Sequence, residues 1–215
     1  MKKPIRARRA EDKELRRKSI LDAAEKTIAN RGLEKTNFGE IAKRSRLSRA
    51  LIYVYFPKRE DLIHAVCERG LKKMLGCFEA VVASHATGLD QTLALGHAYH
   101  AFSKEEKLYF GVLSEADTYE IHPTSMNEIE CAVSQCSKEV LSVVAAAIQR
   151  GKEDGSIRKD VGDPMQTAVT IWSFTHGLIQ ISGSKQYLLK EDLGIGVEQI
   201  TAQGFRLLRN ALASK

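Results

Sequence analysis

Apolar residues recur along this chain at the 3.6-residue spacing of helices, and the strict alternation that marks half-buried strands is nearly absent. Leu15, Ile20, Leu21, Ala24 and Ile28 share one face and predict a first helix over 11–31. Gly32 follows, where a residue in left-handed geometry ends a helix at little cost. A short second helix is predicted from Asn37. Asn37 and Glu40 stand in capping relation, and Phe38, Ile41 and Ala42 give the helix a buried side. Ser48 is the next N-cap. Pro57 confines the helix that follows to 49–56, because the residue before a proline avoids helical geometry. A fourth helix starts near Arg59, and its apolar positions Leu62, Ile63, Val66, Leu71, Met74, Leu75 and Phe78 recur over about five turns.

Further helices are predicted near 89–101, 104–117, 125–151, 162–184 and 190–212. The breaks fall at Thr87-Gly88, Ser103, His122-Pro123, the stretch 151–164 and Gly183-Ser184. Asp163-Pro164 reads as an N-cap with proline at the first helical position. Gly194 and Gly196 weaken the start of the last helix. The pattern is that of an all-α protein in two parts. A three-helix head covers 1–60 and a larger helical body covers 61–215, with the boundary inside the fourth helix so that the two are rigidly coupled.

Composition narrows the class. With 215 residues, 43% hydrophobic and 28% charged, the chain is neither collagen-like, disordered nor of low complexity. No continuous apolar run nears the roughly 18 residues of a membrane span. The basic N-terminus is not followed by the apolar stretch of a secretory signal. Cys67, Cys77, Cys131 and Cys136 have no C-x-x-C spacing and read as reduced packing residues of a cytoplasmic protein with no membrane partner. Charge is lopsided. Residues 1–60 hold 18 Lys and Arg against 8 Asp and Glu, while 61–215 hold 15 against 19. A segment this cationic either attracts a phosphate polymer through counterion release or is a solvated, lysine-rich surface.

The spacing between Thr36 and Phe56 favours the first reading. Two short capped helices joined by about three residues, 46–48, have the geometry of a helix-turn-helix. Ile41, Ala42, Leu47 and Ile52 are small or apolar where the helices must touch, while Arg49, Ala50 and Tyr53 point outward. An arginine on such a helix can pair bidentately with guanine in the major groove of double-stranded DNA, and Tyr and Ser can bind phosphates.

On these residues the segment 20–62 resembles the DNA-binding domain of the TetR family of bacterial transcription regulators. The likeness runs through Thr36-Asn37, Ile41-Ala42, Arg46-Leu47-Ser48, Ile52-Tyr53-Val54-Tyr55-Phe56 and Arg59-Glu60-Asp61-Leu62. Two positions depart from the family pattern. Arg46 stands where the family has its turn glycine, at an expected cost of about 1 kcal/mol if the left-handed turn is kept. Arg59 stands for the usual lysine, with Lys58 at the cap site.

The resemblance implies a role for each matching residue. Asn37 binds a phosphate at its helix N-terminus. Ser48, Arg49, Ala50 and Tyr53 lie on the recognition helix, with Arg49 as the base reader. Tyr53, Tyr55, Lys58 and Arg59 hold the flanking backbone, and Arg46, which departs from the family glycine, is expected to add a phosphate contact of its own. Tyr55 has a second reading, packed beneath the turn. The arm carrying Lys2, Lys3, Arg6, Arg8 and Arg9 either enters a minor groove or is a tail adding nonspecific attraction.

The resemblance also implies a homodimer built by 162–184 and 190–212, and an effector pocket in the middle helices. Tyr99, His100, Phe102, Phe110, Tyr119, Trp172 and His176 are its candidate lining, for an unidentified small apolar molecule. The expected protein is a sequence-specific regulator, a repressor released by that effector, with no cofactor. The alternatives are a constitutive DNA-organising protein without an effector, or a helical metalloenzyme. For the last, His97 and His100 with Glu105 and Glu106 can be drawn on one helix face, but no second ligand pair has metal-site spacing. Nucleophile-elbow, P-loop and Rossmann motifs are absent, so the chain is not expected to be an enzyme.

Overall fold

A computed structural model of the chain describes residues 5–116 and 124–214, with side chains from residue 11 onward. The described residues are helical nearly throughout, and their one strand-like feature is an isolated bridge between Ile157 and Ala213. The helices are α1 (Ile5–Arg31), α2 (Phe38–Ser45), α3 (Arg49–Tyr55), α4 (Arg59–Ala83), α5 (Gly88–Glu105) and α6 (Lys107–Ala116). After them come α7 (Glu128–Asp154), α8 (Pro164–Ser184), a π-helical turn (Leu188–Asp192) and α9 (Val197–Leu212). The fold is all-α, an N-terminal helix-turn-helix unit followed by a larger helical unit. Residues 1–70 and 108–134 form one compact unit; 71–107 and 135–215 form the other.

The first unit closes around apolar faces that the 3.6-residue rhythm marks. Ile20, Leu21, Ala24 and Ile28 of α1, Ile41 and Ala42 of α2, Ile52 and Phe56 around α3, and Leu62, Ile63 and Val66 of α4 are all buried. Ion pairs fasten α1 to α4: Arg17 to Glu68 at 3.4 Å, and Arg69 to Asp22 at 2.8 Å and to Glu25 at 2.9 Å. Burial alone would raise the Asp22 pKa and lower that of Arg69. The hydrogen bonds and charges of Lys18 and Arg69 at Asp22, and of Asp22 and Glu25 at Arg69, outweigh this, holding Asp22 below and Arg69 above their ordinary values.

The second unit depends on close approach. A Cβ at Gly88 would lie 2.0 Å from the backbone nitrogen of Gly151 and 2.5 Å from the carbonyl oxygen of Ala147, so α5 starts directly on the α7 backbone. Asp154 accepts the Gly88 N–H at 2.8 Å, and the Ser156 hydroxyl accepts the Leu89 N–H at 3.0 Å, so the last residue of α7 and the turn after it cap α5. Across α5 and α9, His97 stacks on Phe205 with ring centroids 3.9 Å apart.

Several predicted boundaries move. α1 begins at Ile5 rather than 11, because Arg, Ala, Glu and Lys favour helix without leaving an apolar stripe. α5 runs through Ser103, whose hydroxyl bonds the His100 carbonyl at 2.7 Å and so interrupts nothing; the break is at Glu106, and α6 starts at Lys107 instead of 104. The last predicted helix divides in two, since Gly194 takes a φ of +64° and α9 starts anew after Gly196. α8 starts as expected, Asp163 accepting the N–H groups of Met165 and Gln166, each at 2.9 Å. The predicted break at His122-Pro123 lies outside the described residues.

Among the described residues α7 is long and apolar enough to cross a membrane by length and composition. Lys138 and Glu139 interrupt it, and Val133, Cys136, Val140, Val144, Ala147 and Ile148 are buried within the protein, as in a core helix.

Candidate nucleic-acid interface

Caps fix both helices of the motif. The Asn37 Oδ1 accepts the Glu40 N–H at 3.1 Å, and the Ser48 Oγ accepts the Leu51 N–H at 3.2 Å. Between them Arg46 stands at φ 58°, ψ 34°, the left-handed geometry that a glycine would adopt more cheaply. Leu47 then returns its N–H to the Ala42 carbonyl at 3.0 Å, which stops α2 and turns the chain into α3. Arg31 pairs with Glu40 at 2.9 Å and ties the end of α1 to the same turn.

The outward residues are Asn37, Arg46, Ser48, Arg49, Ala50, Tyr53 and Lys58, all exposed, while Ile52 and Phe56 are fully buried. Tyr53 is braced from both sides. Its ring meets Phe38 edge-on at 4.9 Å, and the Arg49 guanidinium lies 5.7 Å from its centroid. Arg49 also donates to the Tyr53 hydroxyl at 3.3 Å. The arginine expected to read bases is therefore held extended along α3, with the rest of its donor fork unused by that bond. Asn37 spends its oxygen on the cap, which leaves its amide N–H groups as donors for an anion. Tyr55 is half-buried, between its two expected roles.

Arg59 is half-buried. Its Nη2 donates to the Leu33 carbonyl at 2.7 Å, fastening the α1–α2 connection that carries Asn37. Beside it, the Lys58 N–H donates to the Asp61 Oδ2 at 2.9 Å, capping α4. The N-terminal arm also changes character. Lys2 and Lys3 lie outside the described residues, and from Ile5 onward the backbone is α-helix.

The candidate effector residues only partly converge. The Tyr99 hydroxyl and the His176 Nδ1 are 2.8 Å apart, and the Trp172 ring lies 6.1 Å from His176. Phe102 is buried and Trp172 is 38% exposed. His100 is on α5 with His97; burial lowers both pKa values, and for His100 the nearby Lys104 and His97 add to it. Phe110 belongs to the other compact unit. Tyr119 lies outside the described residues. Among the described residues no three His, Cys, Asp or Glu side chains are placed to hold a metal ion.

Comparison with known proteins agrees with this geometry. Residues 20–66 match the profile described as bacterial regulatory proteins, tetR family. The HTH-type transcriptional repressor KstR2 of Rhodococcus jostii (strain RHA1) is 25% identical over 147 residues, 68% of this chain and 70% of that protein. A tetR-family bacterial regulatory protein from Rhodococcus RHA1 has a similar fold, with a TM-score of 0.66 at 18% identity, covering 92% of this chain and 96% of the other. So does the transcriptional regulator FadR of Bacillus subtilis, solved with stearoyl-CoA, with a TM-score of 0.65 at 16% identity over 90% of this chain and 97% of that one.

Proposed function

We propose that the chain, whose residues 20–66 match the tetR family of bacterial regulatory proteins, is a cytoplasmic, dimeric repressor which reads duplex DNA with α3 and lets go when a small, mostly apolar effector binds. The observation that carries the reading is the capped α2–turn–α3 motif, with Ser48, Arg49, Ala50 and Tyr53 exposed in a row on a segment rich in cations. Arg49 supplies bidentate donors to a guanine. Asn37, Ser48, Tyr53, Tyr55 and Lys58 hold phosphates on either side. Arg59 serves indirectly, by fixing the connection on which Asn37 stands.

One such helix reads few base pairs, so useful specificity calls for two, spaced by about one DNA turn in a dimer. The faces of α8 and α9 suit that purpose. Met165, Val169, Trp172, Phe174 and Ile181 of α8 and Leu207 of α9 are apolar and exposed, more than a soluble helix leaves uncovered without reason. For the effector, Tyr99, His100, Phe102, Trp172 and His176 offer an aromatic wall with the Tyr99–His176 hydrogen bond as its polar element. The stearoyl-CoA held by the similarly folded FadR is the kind of largely apolar ligand such a wall would take. The effector acts by preferring one arrangement of the dimer, which shifts the population away from the DNA-bound form.

The test is Arg49→Ala. Against an operator selected from random oligonucleotides, it is expected to lose about 1–3 kcal/mol of base discrimination at one position per half-site while keeping its melting temperature. Unchanged base preference would remove Arg49 from the reading role.

A further inference from the structure

A buried carboxylate outside the recognition helix joins the starts of two helices. Asp61 is 5% exposed. Its Oδ2 accepts the Lys58 N–H at 2.9 Å, and its Oδ1 accepts from the Asn127 Nδ2 at 2.9 Å. Asn127 is itself the cap of α7. Its Oδ1 accepts the N–H groups of Ile129 at 2.9 Å and Glu130 at 3.0 Å, and its own N–H donates to the Glu130 carboxylate at 2.8 Å. Each cap is complete without the bond between the two side chains: α4 needs only the Asp61 Oδ2, and α7 only the Asn127 Oδ1. The Nδ2–Oδ1 bond is left to fix the first turn of α4 against the first turn of α7, 66 positions further along the chain.

We propose that Asp61 and Asn127 are positioning residues for DNA binding, holding Lys58 at the place where its ammonium meets a backbone phosphate. This rests on the DNA-binding reading above. Lys58 is the last residue before α4, two after Phe56, which ends the recognition helix. Its side chain is exposed and its main chain is pinned by Asp61. A carboxylate taken out of water is costly unless hydrogen-bonded. The pair therefore holds one geometry, and a shift of the α7 start is delivered to the phosphate clamp.

The experiment uses the full-length protein and an operator selected from a random pool, with binding followed by fluorescence anisotropy across a salt series. Asn127→Ser keeps an α7 cap but is too short to reach Asp61. It is expected to bind the operator about tenfold more weakly, with a melting temperature close to wild type. The salt slope should fall by about 0.9 for each protomer, one phosphate's worth. Asp61→Asn sets two amide donors face to face and should behave alike. The double exchange Asp61→Asn with Asn127→Asp reverses the donor and acceptor, keeps both caps, and should restore affinity and slope. In a Lys58→Ala background Asn127→Ser should cost nothing more.

Wild-type affinity and slope in Asn127→Ser would overturn the proposal. So would an exchange that fails to rescue, or an equal loss in the Lys58→Ala background. A wild-type protein that selects no sequence would instead refute the DNA-binding reading itself.

Discussion

Between Asn37 and Lys58 nearly every backbone decision is made by a neighbour three or four residues away, whereas the decisive contacts of the second unit join residues 63 to 119 positions apart. The caps of α2 and α3 and the left-handed Arg46 turn are local devices. They set the local course of the backbone that carries the outward residues. The second unit has local caps too, at Thr87 and Asp163, but they do not set how its helices meet. Its helices are placed by Gly88 lying on Gly151, by His97 stacked on Phe205 and by Tyr99 meeting His176. A locally specified motif can keep its geometry while its side chains change to read another operator. A unit specified by distant contacts can change its pocket and its dimer face together. The two units are thus suited to different tasks, one to a fixed docking geometry and the other to a variable ligand.

The contrast can be broken by substitution, and the largest effect belongs to the second unit. Gly88→Ala forces a Cβ into the α7 backbone, where no side chain can yield, and is expected to cost several kcal/mol (about 3 or more) in chemical denaturation. Gly39→Ala is the matched control in the first unit, where the nearest atom is the Asn37 Oδ1 at 3.2 Å, and should cost about 1 kcal/mol or less. Equal losses would erase the distinction. Next in size, Trp172→Glu places a charge on the exposed apolar face of α8. It is expected to yield monomers in sedimentation equilibrium and operator binding at least about tenfold weaker, as follows when two half-sites are no longer held together. A dimer of unchanged stability would move the interface elsewhere.

The smallest effect is one of pH. Burial lowers the pKa of His97 and His100 from an ordinary value of 6.5, so the folded state takes up protons less readily than the unfolded chain. Their contribution is full above 6.5 and is lost as pH falls through the interval down to the lowered values. The melting temperature should therefore drop between neutral pH and pH 5. The double variant His97→Phe with His100→Gln should flatten that dependence, while an unaltered profile would place the titration elsewhere.

What was legible in the sequence follows from the same difference. The N-x-x-E spacing of Asn37 and Glu40, Ser48 before an apolar run, and Pro57 after one state the motif in residues a few positions apart, and α2 and α3 lie where those signals place them. Asn127 and Glu130 carry the same N-x-x-E spacing, so the start of α7 was readable by the rule that finds α2, but no spacing says that its amide reaches Asp61. Nor did a lone arginine at 59 reveal that it would turn inward to Leu33. Among the described aromatic and histidine residues expected around an effector, Tyr99, Trp172 and His176 meet as a group. Helical spacing says which face a residue shares but not which distant helix covers it.

The central claim, that α3 presents Arg49 and its neighbours to base edges in duplex DNA, is tested most directly by offering the purified protein a pool of random duplex oligonucleotides at moderate ionic strength and sequencing what it retains. The account expects enrichment of a two-fold symmetric site, with half-sites one helical turn apart and a guanine at a fixed place in each. A retained pool indistinguishable from the starting one would contradict it.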